Sequence, residues 1–371
     1  MKYYIIAGEA SGDLHAANLI KAVKEKDPEA EFRGWGGDLM AEAGCDVVKH
    51  YNDLAFIGFW EVFINLKTVL KNLSVCKKDI LLYNPDKVVL VDYPGFNLRI
   101  AEFAKQKKFR VIYYISPSVW AWKKGRVKKI KRNVDDLMVI LPFEKEFYAK
   151  YDYPVHYVGN PVLDEMVRFD PQSDEVVNFR KLHGLDDRPI VALLPGSRRQ
   201  EIKTMLPIMV KVMERFPQYQ FVISAVKWQP RSLYEDIVQG VPLITGQTYA
   251  MLKNVKAAVV TSGTVSLETA LMDIPQVVGY RASWLSYFIA LQLVKGIRYI
   301  SLANLILDKQ VFNELIQGDV NPDRLARELE ALLHDEVKIK QMKKDYALLR
   351  QVLGDGGASQ KAAGIVAAPI L

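Results

Sequence analysis

The sequence predicts an α/β protein of two Rossmann-like, doubly wound parallel-sheet domains that face each other across a crevice. Three observations predict it. Short apolar runs rich in Val, Ile and Leu alternate with amphipathic helical segments along most of the 371 residues. Two of these runs, 3–7 and 190–194, stop at glycine-bearing loops that open a helix, the unit with which parallel sheets bind ligands at their strand ends. A polar segment over 169–174, carrying Pro171, separates the two series and reads as a hinge. The expected division is a first domain over 1–170, a second over 171–335, and a helical C-terminal segment over 336–371.

Composition supports a chain with sizeable cores. Half of the residues are hydrophobic and the mean hydropathy is near zero. Cys45 and Cys76 supply neither a disulfide framework nor metal-ligand spacing, and an apolar strand follows Met1-Lys2 at once, so a reducing cytoplasm is expected. No apolar stretch reaches the roughly 20 residues needed to span a bilayer, so membrane contact would be peripheral. The net charge of +7 suits anionic partners of any kind without choosing among them.

The first series opens with a strand over 3–7, the loop Gly8-Glu9-Ala10-Ser11-Gly12-Asp13, and a helix over 14–26. In the plainer reading Ser11 or Asp13 caps that helix. In the sharper one Glu9 and Asp13 make an acidic loop that suits a hydroxyl-rich sugar or an amine better than a phosphate. Residues 55–73 have helical apolar spacing, with Phe59 and Phe63 in the stripe, but Phe56, Ile57, Trp60 and Ile64 widen the apolar face beyond what one sheet covers. A buried helix and a lipid-contact surface flanked by Lys67 and Lys71 both fit.

The valine-rich strand 87–91 ends at Asp92, before Tyr93-Pro94-Gly95. A carboxylate there faces the ligand crevice and is the leading general base, with a helix cap as the plainer role. Strand 110–115 leads into SPSVWAW, where Trp120 and Trp122 would alternate across an extended segment. Residues 123–132 then carry seven cationic side chains, among them Lys123, Lys124 and Arg126, above a helical stripe of Val127, Ile130 and Val134. A solvated helix face, an anionic lipid surface and a substrate phosphate all suit it, and no RNA-binding signature accompanies it. Strand 137–141, a helix opening at Pro142-Phe143-Glu144, and strand 155–158 close the series.

The second series centres on 190–194 and Pro195-Gly196-Ser197-Arg198. Gly196 allows close approach of a ligand, the following N–H groups and helix dipole favour an anion, and Ser197 and Arg198 add a hydroxyl and a forked cation. Strands follow over 220–225, 242–245, 257–261 and 276–280. The third of these runs into Ser262-Gly263-Thr264, where Thr264 and Glu268 share a helix face suited to a phosphate and a diol. An ordinary surface position is the plainer reading of Glu268. An apolar helix over 284–294 fits core, subunit or membrane contact, and residues 310–317 read as a helix.

These motifs carry a resemblance. GEASGD, SPSVWAW, LPFE, LPGSR, SGTVSLE and GYR, in this order over residues 3–317, resemble the lipid-A-disaccharide synthase family, and SPSVWAW is the most specific. Asn160 stands where many members carry His, and Ala303 and Asn313 where many carry Pro. The resemblance implies a GT-B type, inverting glycosyltransferase. It would join UDP-2,3-diacylglucosamine to 2,3-diacylglucosamine 1-phosphate (lipid X) through a β-1′,6 bond and release UDP.

In such a transfer a base takes the acceptor proton while UDP leaves from the opposite face of the sugar carbon. Asp92 is the expected base, with Glu9 as rival or acceptor-orienting group. Gly196, Ser197, Arg198, Ser262, Gly263 and Thr264 would hold the diphosphate, Glu268 the ribose, and Ser11, Asn97, Arg281 and Asn304 further parts of the substrates. No cofactor or metal is expected, since no DxD-like carboxylate pair stands at a strand end. Phe56, Ile57, Phe59, Trp60, Phe63, Lys123, Lys124 and Arg126 would meet the cytoplasmic face of the inner membrane, and the 284–294 helix is compatible with a homodimer. Two alternatives stay open: a sister GT-B enzyme with another acceptor or a UDP-N-acetylglucosamine epimerase, and a non-catalytic lipid- or RNA-binding module resting on the 123–132 patch.

Overall fold

The computed structural model describes residues 1–53, 66–122, 125–282 and 298–370. Two compact units result, Met1–Val167 with Asp355–Leu371, and Arg168–Gly354. In the first unit β1 (Lys2–Ala7), β2 (Glu31–Gly36), β3 (Cys45–His50), β4 (Lys87–Val91), β5 (Arg110–Tyr114), β6 (Asp136–Val139) and β7 (His156–Tyr157) form one sheet. Their order is β3-β2-β1-β4-β5-β6-β7 and every pairing is parallel. The continuous apolar runs are explained by burial on both faces: β4 is buried along its whole length.

The second unit repeats this logic with β8 (Ile190–Leu194), β9 (Gln220–Ala225), β10 (Leu243–Thr245), β11 (Ala257–Thr261), β12 (Gln276–Tyr280) and β13 (Glu314–Ile316), in the order β10-β9-β8-β11-β12-β13. Each sheet reverses its winding once, between β1 and β4 in the first and between β8 and β11 in the second. At such a reversal the loops after two adjacent strands part, leaving an open notch at the strand ends. Both doubly wound, parallel α/β domains expected from the strand pattern are thus present.

The C-terminal segment departs from the expected layout. Residues 336–371 do not form one appendage: the helix Glu336–Leu353 belongs to the second unit, and the helix Ala358–Val366 returns to the first. Ala362, Ala363 and Val366 join Ala16, Leu19 and Ile20 of the helix Ala10–Lys26 in one buried cluster. The buried Lys87 amine donates to the carbonyls of Val366 and Ala368, and Asp164 accepts from the N–H groups of Gly357, Ala358 and Ser359 and from the Ser359 hydroxyl.

Two local expectations are corrected. The helix expected over 310–317 is replaced by β13, whose Leu315 is buried and which pairs with β12 from Val278 onward; a free sheet edge overrides local propensity. The extended reading of Trp120 and Trp122 gives way to a single helical turn, Val119–Trp122. The long apolar helix is described from its later part, Leu66–Tyr83, where Leu73, Cys76 and Ile80 are buried while Leu70 is 55% exposed. Phe56, Ile57, Phe59, Trp60 and Phe63, the cations Lys123 and Lys124, and the 284–294 helix lie outside the described residues. No described helix is long and apolar enough to cross a membrane.

Candidate active site

In the first unit the loops after β1 and β4 flank the reversal point, bringing Gly8 and Glu9 beside Asp92 and Tyr93. The strand ends pair as Ala7 with Val91, so one more residue along each chain places these loops side by side. Asp92 and Tyr93 both adopt left-handed backbone, φ +46° and +49°. Ile115, just past β5, does the same at +63°. Left-handed residues other than glycine cost on the order of 1–3 kcal/mol each and gather where function fixes the backbone.

The strain is held by well-defined contacts. The Asn97 amide donates to the carbonyls of Ile6 (3.4 Å), Val91 (3.2 Å) and Asp92 (2.8 Å), and the buried Tyr113 hydroxyl donates to the Asp92 carbonyl at 2.5 Å. A Cβ on Gly8 would fall 2.3 Å from Tyr93 Cγ, so glycine is what lets the Tyr93 ring lie over this loop. Burial, and after it the Glu9 carboxylate, push the Tyr93 hydroxyl above its ordinary pKa. Glu9, Tyr93 and Asp92 therefore form one cluster at the strand ends, with Ser11 exposed two residues past Glu9.

Two expectations change here. Asn97, expected at a substrate, is fully buried and spends its amide on the main chain of β1 and β4. Asp13 leaves the acidic loop altogether: it is buried and accepts from the N–H groups of Gly37 (2.7 Å), Leu39 (3.2 Å) and Met40 (3.2 Å), capping the short helix Asp38–Glu42. Burial raises its carboxyl pKa while these donors oppose the rise.

Behind this cluster, SPSVWAW packs on the helix Pro142–Ala149. Ser116 Oγ and Tyr148 Oη are 2.7 Å apart, and the Trp120 ring meets Phe143 edge-on at 5.0 Å. Glu144 is buried and accepts from the N–H groups of Ile140 (3.3 Å) and Leu141 (3.0 Å). Burial pushes its carboxyl up to about 7 despite these bonds. The helix Arg126–Asn133 buries Val127 and Ile130, as its stripe predicted, and leaves Arg126 half-exposed.

The second unit places both of its glycine loops at its own reversal point. Gly196 has φ +103°, and a Cβ there would come within 2.5 Å of Glu201 Oε2. The reason is a cap that sequence reading passed over: Glu201 accepts from the N–H groups of Ser197 (3.1 Å) and Arg198 (3.2 Å) and from the Arg198 guanidinium (3.4 Å). The spacing from Arg198 to Glu201 is that of a capping box, which was the available signal. The two N–H groups expected to receive a phosphate are thus held by a carboxylate of the same loop.

Trp228, half-exposed beyond β9, donates its indole N–H to the Ser197 carbonyl at 3.2 Å, a second contact not foreseen. After β11, Ser262 N–H donates to Gly279 O at 2.9 Å, and the Gly263 carbonyl accepts from the N–H (3.2 Å) and hydroxyl (2.7 Å) of Ser266. Around Gly263 a Cβ would meet nothing within 4 Å. Thr264 is exposed and Glu268 half-buried on the helix Thr264–Leu271, and Arg281 is exposed just past β12.

Asn304 is the further correction. It is fully buried, its amide donates to Phe312 O (3.0 Å) and Glu314 Oε1 (2.9 Å), and its oxygen accepts from Val311 and Phe312. Its hydrogen-bonding capacity goes to the turn before β13. Sequence alone cannot separate an interior Asn, such as this one on the short helix Leu302–Leu307, from a ligand-facing one, because the difference lies in what the fold brings against it.

Comparison with known proteins identifies the family. The family model for lipid-A-disaccharide synthetase matches residues 3–368. The lipid-A-disaccharide synthase of Syntrophus aciditrophicus is 41% identical over 368 residues, covering 97% of this chain and 95% of that protein. Among solved structures, the UDP-GlcNAc 2-epimerase of Methanocaldococcus jannaschii in complex with UDP-GlcNAc and UDP superposes with a TM-score of 0.67 at 14% identity, covering 99% of both chains. The glycotransferase of kitacinnamycin gives 0.64 at 14% identity, covering 98% of both. These two share the fold of paired Rossmann-like domains, the GT-B fold. With the match running nearly end to end, the chain belongs to the lipid-A-disaccharide synthase family, glycosyltransferases that make the disaccharide of lipid A.

Proposed function

We propose that the enzyme transfers 2,3-diacylglucosamine from its UDP derivative to the 6-hydroxyl of 2,3-diacylglucosamine 1-phosphate, forming a β-1′,6 bond. The observation that carries this reading is the chemistry each unit holds at its own reversal point. A carboxylate cluster occupies that of the first unit and two glycine loops that of the second. Asp92 takes the hydroxyl proton as O6 attacks the anomeric carbon; the bond to the diphosphate oxygen breaks on the opposite face, and UDP leaves with the electron pair. Glu9 orients the acceptor or takes over as base.

The loops Gly196-Ser197-Arg198 and Ser262-Gly263-Thr264 stabilise the departing diphosphate through N–H groups, hydroxyls and the Arg198 guanidinium. A phosphate using the Ser197 and Arg198 N–H groups replaces the Glu201 carboxylate there. Glu268, one turn along from Thr264, accepts from the ribose diol, and Arg281 lies on the same rim of strand ends. Leu70 between exposed Lys67 and Lys71 suits a lipid-contact surface, a role this reading also gives to Phe56, Ile57, Phe59, Trp60, Phe63, Lys123 and Lys124. In this reading the enzyme works peripherally on the cytoplasmic face of the inner membrane, and its partners are the two lipid substrates.

The test is a mass-spectrometric assay with both substrates in detergent and a chelator. UDP together with a tetraacyl disaccharide phosphate is the expected result. UDP release from a simpler UDP-sugar, with no disaccharide, would move the chemistry to another acceptor or to epimerisation.

A further inference from the structure

The sheet of the second unit runs β10-β9-β8-β11 across its reversal point, so the loops after β8, β9 and β10 lie side by side on one flank of it. The middle loop is a tight turn. Gln229 N–H donates to the Val226 carbonyl at 3.3 Å, which leaves Lys227 and Trp228 at the two central positions. Val226 N–H donates at 3.2 Å to the hydroxyl of Tyr234, a fully buried side chain. The core thus braces the turn from below.

From there the turn reaches both neighbours. Towards β8, the Trp228 indole N–H (3.2 Å) and the Gln229 side-chain amide (3.4 Å) both donate to the Ser197 carbonyl of the glycine loop. Towards β10, the Lys227 stem covers Gly246, the first residue past that strand, which has φ +74° and where a Cβ would fall 2.6 Å from Lys227 Cε. Three consecutive side chains therefore join three adjacent strand ends. Trp228 nevertheless stays 51% exposed. Its one polar atom is satisfied and that bond fixes the ring, so what it turns to solvent is aromatic surface already held in place.

We infer that Trp228 is the stacking platform for the nucleobase of the donor. The inference rests on the donor reading given above and assigns the base of that nucleotide. In doubly wound sheets the phosphates of a nucleotide sit at the glycine loop beside the reversal, and the nucleoside lies over the next strand, away from the reversal. Here that strand is β9, and Trp228 is the aromatic side chain that its loop sets beside Ser197. A base linked through a single ribose to a phosphate at this loop needs a flat apolar surface close by, and an indole face supplies one. Gln229 holds the same carbonyl, so the loop keeps a donor when the indole is changed.

The experiment compares wild type with W228F and W228A by calorimetry, using UDP and inorganic pyrophosphate as separate probes. Ala removes the platform, whereas Phe keeps a ring and loses the N–H. For UDP, Kd is expected to rise about tenfold in W228A, the scale of a lost base–aromatic stack, and to stay within about threefold of wild type in W228F. Pyrophosphate has no base and should bind all three proteins within about twofold, since Gln229 still donates to Ser197. Equal UDP affinity in wild type and W228A would overturn the inference. So would parallel losses on UDP and pyrophosphate in both variants, which would make Trp228 a strut for the Ser197 loop.

Stacking also has a spectroscopic signature that needs no turnover. UDP and uridine should both quench indole emission in wild type, and that quenching should be absent in W228F. Quenching that survives in W228F sinks the assignment, and this readout decides the matter even if W228A fails to fold. The donor reading fails in a different way. A wild type that does not bind UDP removes that reading and the platform together, whereas a wild type that binds UDP beside an indifferent W228A removes the platform alone.

Discussion

The ring of Tyr93 lies where a side chain at Gly8 would be, with Cγ 2.3 Å from the ideal Cβ position. This contact couples the first loop of the chain to the backbone that presents Asp92. Gly8→Ala is expected to cost about 1–3 kcal/mol of stability, as overpacking does, and to lower kcat by shifting Tyr93 and its neighbour. Tyr93→Ala in the same chain makes room again. The double variant should therefore unfold at a higher temperature than Gly8→Ala alone, and strict additivity of the two losses would refute the coupling.

Removing the proposed base separates binding from chemistry. Asp92→Asn keeps shape and left-handed tolerance, so UDP-sugar affinity by calorimetry should stay within a factor of about two. Turnover should fall at least about a hundredfold, the scale of a lost general base. If turnover survives, Glu9 is the next carboxylate in the cluster, and Glu9→Gln should then carry the loss.

The two donor-loop glycines predict opposite behaviour. At Gly196, alanine meets both a left-handed φ and the Glu201 carboxylate, so Gly196→Ala should lose about 1–2 kcal/mol of stability along with UDP affinity. At Gly263 the space is open, so Gly263→Ala should melt like wild type while its methyl obstructs the diphosphate and raises KM for the donor. Unaltered donor kinetics in Gly263→Ala would remove that loop from the site.

Glu144 predicts a pH dependence of stability. Its folded pKa, about 7, stands above the ordinary carboxyl value of 4.5. A raised carboxyl contributes stability below the unfolded value that is lost as pH rises through the folded one. Glu144→Gln, which mimics the protonated form, should match wild type near pH 4.5 and exceed it above pH 7 by on the order of 2–3 kcal/mol. Thermal midpoints across pH 4.5 to 8.5 test this, and a gap independent of pH would exclude it.

For the apolar segment the expected readout is vesicle binding. Phe59→Ser, Trp60→Ser and Phe63→Ser together should release the protein from anionic vesicles, as loss of buried apolar area requires. Undiminished flotation would assign the segment to the core.

Much of this architecture was legible because parallel sheets write themselves plainly: runs such as VVLV (88–91) and IVALL (190–194) are apolar at every position, and each ends at a loop with glycine or a carboxylate. The strand-end loops were readable for the same reason, with Gly8, Asp92, Gly196 and Gly263 each just past an apolar run, whereas the strand order that sets the reversal points came only with the structure. What escaped were targets of side chains. Asp13 looks like a loop acid until a second loop, brought up by β2, offers it three N–H groups. Glu201 looks like a surface helix residue until it closes on Ser197 and Arg198. β13 depends on an edge of β12 that no local pattern announces.

The four bonds between Asp164 and Gly357, Ala358 and Ser359 also impose an order on folding. The second unit is a continuous stretch and can close as soon as it leaves the ribosome, whereas the first waits for the last helix to be made. Until then Ala16, Leu19 and Ile20 lack their partners Ala362, Ala363 and Val366. A premature stop codon inside the final helix therefore damages the oldest part of the chain, the end that carries Glu9 and Asp92.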